Sequence, residues 1–228
     1  ASAARSSTSP ETVVSRICQA LDDGCASLGF VTPSHLVPQM LLLINIVRSR
    51  GYDPVIVYNT NAYDLPHRVE ALSAWVDVWL PDFKYADRDL ACRWSGVRDY
   101  PEVALAAIRR MHALVGNGLP QRDGVAIRGI ILRHLVLPGE TANSVRVLEM
   151  IREHLGDAVH LSLMAQYHPT VRVAGDSQLG RTLFREEYDE VVGALHRLGF
   201  HRGWIQSMDS PQNYLPDFEL DAPFSLDQ

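Results

Sequence analysis

Asp82 and Lys84 stand two residues apart in the run Pro81-Asp82-Phe83-Lys84, and in an extended segment that spacing puts both side chains on one face. A carboxylate beside an ammonium suits a zwitterionic ligand such as an amino acid, and it equally suits a structural ion pair between the two. Arg133 lies inside the apolar run Ile130-Ile131-Leu132-Arg133-His134-Leu135. A guanidinium is costly to bury without a partner, so Arg133 either closes a structural pair or meets an anionic group. His35, His134 and His168 also follow or interrupt apolar runs. Lone histidines near strand ends are more often hydrogen-bonded core or substrate-contacting groups than a three-histidine metal set.

What must position these residues is a series of short apolar runs, each ending in polar residues. Leu28–Val31 leads into Thr32-Pro33-Ser34-His35, Pro54–Tyr58 into Asn59-Thr60-Asn61, and Trp75–Leu80 into Asp82-Phe83-Lys84. Ile127–Leu137 carries Arg133 and His134, and His160–Met164 ends in Gln166-Tyr167-His168. The pattern predicts five strands. Helices are predicted between them: from Ser9-Pro10-Glu11, over Leu36–Val47, Pro66–Leu72 and Pro101–Val115, from about Asn143 to Leu155, and over Glu186–Leu198. Connections of that length imply crossovers and a parallel sheet, either an open or partial β/α barrel or a doubly wound sheet. In both, chemistry gathers at the carboxyl ends of the strands. The expected organisation is one α/β domain over residues 1–203 and an irregular tail, rich in proline and aspartate, over 204–228.

Composition narrows the partners. The chain has 228 residues, 46% apolar, with a formal charge of −6 and no long basic run, so nucleic acid is not an expected partner. No apolar stretch approaches the roughly 20 residues that span a bilayer. Ala1–Ser9 has no apolar core of the kind a secretory signal carries, which makes the cytoplasm the expected location. Cys18, Cys25 and Cys92 show neither a disulfide framework nor a two-residue metal spacing. Gly116, Gly118 and Gly124 lack the spacing of a dinucleotide loop.

The blocks Leu28–Val37 (LGFVTPSHLV), Val57–Asp64 (VYNTNAYD), Val76–Ala86 (VDVWLPDFKYA), Asp99–Ala104 (DYPEVA), Leu132–Gly139 (LRHLVLPG) and Met164–Pro169 (MAQYHP) resemble, in order and spacing, radical-SAM proteins of the pyruvate-formate-lyase-activating-enzyme-like family. Gly203-Trp204-Ile205-Gln206 and Pro216-Asp217-Phe218 extend the likeness. The resemblance implies a partial parallel β/α barrel. It also implies a 4Fe-4S cluster that cleaves S-adenosylmethionine reductively to a 5′-deoxyadenosyl radical, which abstracts hydrogen, in the activating enzymes from a glycine of a partner protein. Carried over by position, Asp82 and Lys84 match a motif that contacts the amino-acid end of S-adenosylmethionine. Asn59 and Asn61 match a strand-end motif beside the cofactor, with Asn59 standing where the activating enzymes have aspartate. Arg133 matches a strand arginine and His168 a histidine near the cofactor's sugar, while Val31-Thr32-Pro33 stands where many radical-SAM enzymes carry a glycine-glycine-glutamate motif, so that Thr32 and Ser34 are expected to hydrogen-bond the cofactor there. The family's three cluster cysteines would precede Ser9 and are not in this sequence. The expectation is therefore a chain without the amino-terminal segment that carries them and the first barrel strand, binding no cluster alone and needing that segment or a partner to complete it. A noncatalytic binding module and a lyase or isomerase using Lys84 as base or Schiff-base nucleophile are the competing readings.

Overall fold

A computed structural model of the chain describes residues 9–208. In chain order it runs α1 (Pro10–Asp22), β1 (Ser27–Val31), a 3-10 turn (Pro33–His35), α2 (Val37–Ser49), β2 (Val55–Thr60), α3 (Pro66–Leu72), β3 (Val78–Pro81), α4 (Arg88–Ser95) and α5 (Tyr100–Val115). A small hairpin, β4 (Gln121–Arg122) and β5 (Val125–Ala126), precedes β6 (Gly129–Leu135), α6 (Thr141–Leu155), β7 (His160–Met164), α7 (Arg185–Arg197) and β8 (Gly203–Ile205).

Local chemistry sets the helix ends. Ser9 caps α1 by accepting the Thr12 amide at 3.2 Å, with Pro10 at the first helical position. Asp87 caps α4 by accepting the Leu90 amide at 2.7 Å, and Gly96 closes it at φ 70°, a conformation that favours glycine.

The main sheet has the order β1-β2-β3-β6-β7-β8, with every neighbouring pair parallel. Sequential order without reversal leaves no topological switch point, so the doubly wound alternative falls and the architecture is an open, partial parallel β/α barrel. Burial alternates along the strands. Ile56, Tyr58, Trp79, Leu132 and Leu163 are at most 1% exposed on the face that packs against the helices, with Ile108, Met111, Leu148 and Ile151 opposite them in the same core. The intervening residues of β2, β6 and β7 are only half buried and form a concave face. The sheet is thus covered on one side, which is the alternation expected of a half-buried strand.

Several boundaries differ from the sequence pattern. The run expected as one strand from Ile127 to Leu137 begins at Gly129, because Val125 and Ala126 pair back on Gln121 and Arg122. Helix α4 was not expected, its polar sequence hiding a cap at each end. A sixth strand, β8, straddles the boundary where the tail was expected. It is admitted by Gly203, at φ 124°, where a Cβ would collide with the Leu161 backbone. The Pro216-Asp217-Phe218 block lies outside the described residues.

At the amino-terminal edge, α1 packs on α2 through Val14, Cys18 and Val47, a small core apart from the main one. Between α1 and β1 runs an open groove of about 380 Å³, lined by Val13, Ile17, Leu21 and Leu28 among others. β1 pairs with β2 on one side only, and Val31 is 75% exposed. Among the described residues no helix is long and apolar enough to cross a membrane.

Candidate functional site

Three of the polar residues at the strand ends, Asn59, Asp82 and Arg133, meet on the concave face. Arg133 on β6 reaches across β3 toward β2. Its Nε and Nη2 both donate to Asp82 Oδ1, at 2.8 and 2.7 Å, and Nη2 also donates to Asn59 Oδ1 at 2.6 Å. Parallel register makes this span feasible, since Asn59 lies opposite Leu80 and Asp82 forms a bridge with Arg133. The ion pair is therefore Asp82 with Arg133, and the alternative pair of Asp82 with Lys84 does not form. Burial pushes the Asp82 carboxyl above its ordinary range, opposed by the charges of Arg133 and then Lys84. Desolvation thus outweighs the attraction of two nearby cations, the mark of a carboxylate in a site with little water.

Beside this triad is a cavity of about 260 Å³. Asp82, Lys84, Arg133 and Gln166 form its polar wall, and Leu135, Leu137 and Met164 its apolar one. Among the described residues Lys84 has no salt bridge, and no hydrogen bond occupies Arg133 Nη1 or Asp82 Oδ2. Two cations and one carboxylate leave a net positive wall with free donors and one free acceptor, an arrangement that receives a carboxylate and an ammonium together. The volume lies just under the usual range for ligand cavities and matches an amino-acid-sized group, with the rest of a larger ligand lying on the open concave face.

The remaining strand-end residues divide. Asn61 folds its side chain back to accept the Tyr63 amide at 3.0 Å, so it braces its own turn. Ser34 meets the Tyr58 hydroxyl at 3.3 Å, on top of a buried network in which Tyr58 (3.3 Å) and Thr60 (2.6 Å) donate to Asp64. Thr32 sits at φ 51°, its amide held by the Asn59 carbonyl at 2.7 Å. His168 is exposed beyond β7 and is not part of the cavity wall. His134 faces the helices: its Nδ1 donates to the Phe83 carbonyl at 2.7 Å and its Nε2 accepts from Ser144 at 2.9 Å. Burial lowers it to about 4, so it is a neutral structural group.

Gln166, one of the three polar residues expected to end the fifth strand, lines the cavity, although only His168 of that group was matched to the cofactor. Its carbonyl oxygen accepts from Gln206 at 2.8 Å, which ties β7 to the stretch after β8. Tyr100 and Asn143, on α5 and α6, hold the Lys84 backbone. The only sequence signal for Tyr100 was its place in the DYPEVA block, and Asn143 had none.

The sequentially ordered open barrel is shared with solved structures. The chain superposes on a radical SAM methyltransferase from Sphaerobacter thermophilus with a TM-score of 0.61 and 14% identity, over 89% of this chain and 59% of that one. SuiB of Streptococcus suis, bound to precursor peptide SuiA, matches at 0.58 and 12% over 95% and 47%. A domain of a pyruvate-formate lyase-activating enzyme from Bacteroides vulgatus matches at 0.55 and 16% over 80% and 99%. The fold is that of radical-SAM enzymes. No family model matches the chain. An uncharacterized protein of Methanocaldococcus jannaschii is 26% identical over 156 residues, 68% of this chain and 42% of its own length. The chain thus spans less than half of that curated relative.

An iron-sulfur cluster does not fit the described residues. Cys18 is buried in α1, Cys25 and Cys92 are exposed, and no three cysteine, histidine or acidic side chains converge among the described residues.

Proposed function

We propose that this chain is the cofactor-binding body of a radical-SAM enzyme, and that the strand-end cavity takes the amino-acid end of S-adenosylmethionine. The carrying observation is the Lys84 ammonium, without a salt bridge among the described residues, beside the Asp82–Arg133 pair at the carboxyl ends of a parallel sheet with that fold. Lys84 and Arg133 Nη1 would meet the carboxylate, and Asp82 Oδ2 the ammonium. Asn59 orients Arg133, and Leu135, Leu137 and Met164 keep water from the methylene stem. A reduced iron-sulfur cluster held by other polypeptide would supply the electron that splits S-adenosylmethionine into methionine and a 5′-deoxyadenosyl radical able to abstract hydrogen.

The cluster's ligands would come from polypeptide preceding α1. A strand from that polypeptide would also fit the β1 edge, which has no partner strand among the described residues, and the apolar groove beneath α1. A polypeptide substrate, with glycyl-radical activation of an enzyme as one form, is the partner class favoured. One structural neighbour is a lyase-activating enzyme and another holds a precursor peptide.

Calorimetric titration with S-adenosylmethionine tests the pocket. Lys84→Ala and Asp82→Ala should each weaken binding by roughly tenfold or more, the worth of a charge-assisted hydrogen bond. Unchanged affinity in both would return these residues to a structural role. Reconstituted anaerobically with iron and sulfide, the chain should stay colourless, and a stoichiometric 4Fe-4S band would overturn the assignment of the cluster to preceding polypeptide.

A further inference from the structure

Strand β3 ends at Pro81, yet Asp82, Lys84 and Tyr85 beyond it line the cavity wall. Past the strand end its backbone groups need other partners. One phenol supplies several. Tyr100, at the start of α5, is 4% exposed, and its hydroxyl lies 2.9 Å from the Asn61 carbonyl and 2.8 Å from the Asp82 carbonyl. The same oxygen accepts the Lys84 amide at 3.0 Å. From the far side, Asn143 donates to the Lys84 carbonyl at 3.0 Å and accepts the Ala86 amide at 2.9 Å. Both backbone groups of Lys84 are therefore held by side chains from two different helices.

The phenol is itself held in place. Tyr63 stacks on its ring at 6.3 Å with the planes 10° apart, and Tyr85, a cavity residue, meets it edge-on at 5.4 Å. The Tyr63 hydroxyl donates to Asp99, the residue before Tyr100, at 2.9 Å. Desolvation drives the Tyr100 phenol far above its ordinary range, so it keeps its proton and the brace does not titrate near neutrality.

We propose that Tyr100, assisted by Asn143, is a positioning residue that holds Asp82 and Lys84 on one face beyond the end of their strand, so that carboxylate and ammonium meet the same zwitterionic group. This rests on the reading that the cavity takes the amino-acid end of S-adenosylmethionine. The hydroxyl links the β2 and β3 loops at one atom, so removing it frees the Lys84 amide and takes away the one proton that the Asn61 and Asp82 carbonyls share.

Tyr100→Phe keeps the ring and its stacking and removes only the hydroxyl. Three probes separate positioning from general loosening: S-adenosylmethionine, free methionine, and 5′-methylthioadenosine, which lacks the amino-acid end. The variant should bind the first two roughly tenfold more weakly and the third within about twofold of the unsubstituted chain, and its Lys84 amide should exchange at least about tenfold faster. Asn143→Ala, read by the same ligand difference, serves if Tyr100→Phe fails to fold. Equal loss for all three ligands, or unchanged affinity for S-adenosylmethionine, overturns the positioning role and leaves the cavity assignment standing. If the unsubstituted chain binds neither S-adenosylmethionine nor methionine, the cavity assignment falls and this inference with it.

Discussion

Arg133 and His134 are neighbours in sequence and opposites in circumstance. Arg133 points to the concave face, where a quarter of its side chain still meets solvent and its charge is shared with Asp82 and Asn59. His134 points to the helices, is 1% exposed, and is neutral with both ring nitrogens satisfied. One step along a strand exchanges a water-poor but charged face for a dry one, because side chains alternate. The lesson carries to the whole sheet: the covered face holds the apolar core of the fold, and the concave face carries its polar chemistry.

Substitutions on the two faces should therefore separate stability from binding. Trp79 is fully buried on the covered face, and Trp79→Ala should cost about 3–5 kcal/mol in urea melting. A loss under about 1 kcal/mol would mean that this face repacks and is not the structural one.

His134 provides the next contrast. A base held at about 4 when folded, against 6.5 in the unfolded chain, binds fewer protons in the native state between those values. Its stabilising contribution is complete above 6.5 and is lost as pH falls toward 4. The loss is up to about 3 kcal/mol, at about 1.4 kcal/mol per tenfold change in the protonation constant. Melts in this window should show stability falling with acid, with a shallower slope in His134→Gln. Equal slopes would show that other groups carry the acid sensitivity.

On the concave face Arg133→Leu strips Asp82 of its partner in a partly buried setting. The expected cost is about 2 kcal/mol, below that of a fully buried pair because both side chains keep some water contact. Restoring part of the loss with Asp82→Asn in the same chain would identify the stranded carboxylate as the cause. Lys84→Ala should be the smallest effect, within about 0.5 kcal/mol, since no salt bridge is broken among the described residues. A large loss of stability there would place Lys84 among the structural residues and blur the distinction between the faces.

The parts of the fold that could be read from the sequence are those whose cause is local. Proline and serine at the α1 start, the apolar runs that became β1, β2 and β7, and the proline that opens α5 each act within a few residues. The hairpin β4–β5 and the short β8 were hidden because their pairing depends on distant partners: Gly203 joins the sheet only where the Leu161 backbone leaves no room for a Cβ. The ends of the strands were also readable as polar, and Asp82, Lys84 and Arg133 were singled out by type and spacing.

What those three residues do to one another was not readable. The sequence alone determined that a carboxylate and an ammonium share a face, that a guanidinium lies in an apolar run, and that strands alternate with helices. Only the tertiary structure decided that the carboxylate pairs with the guanidinium and not with the ammonium, because Arg133 and Asp82, 51 positions apart in the chain, are brought side by side by the pairing of β3 with β6. It likewise decided that Tyr100 and Asn143, on helices far along the chain, hold the Lys84 backbone. Alternation along a strand is a property of neighbouring residues, whereas the partner across a sheet is set by which strands lie adjacent, and that depends on the packing of the whole domain.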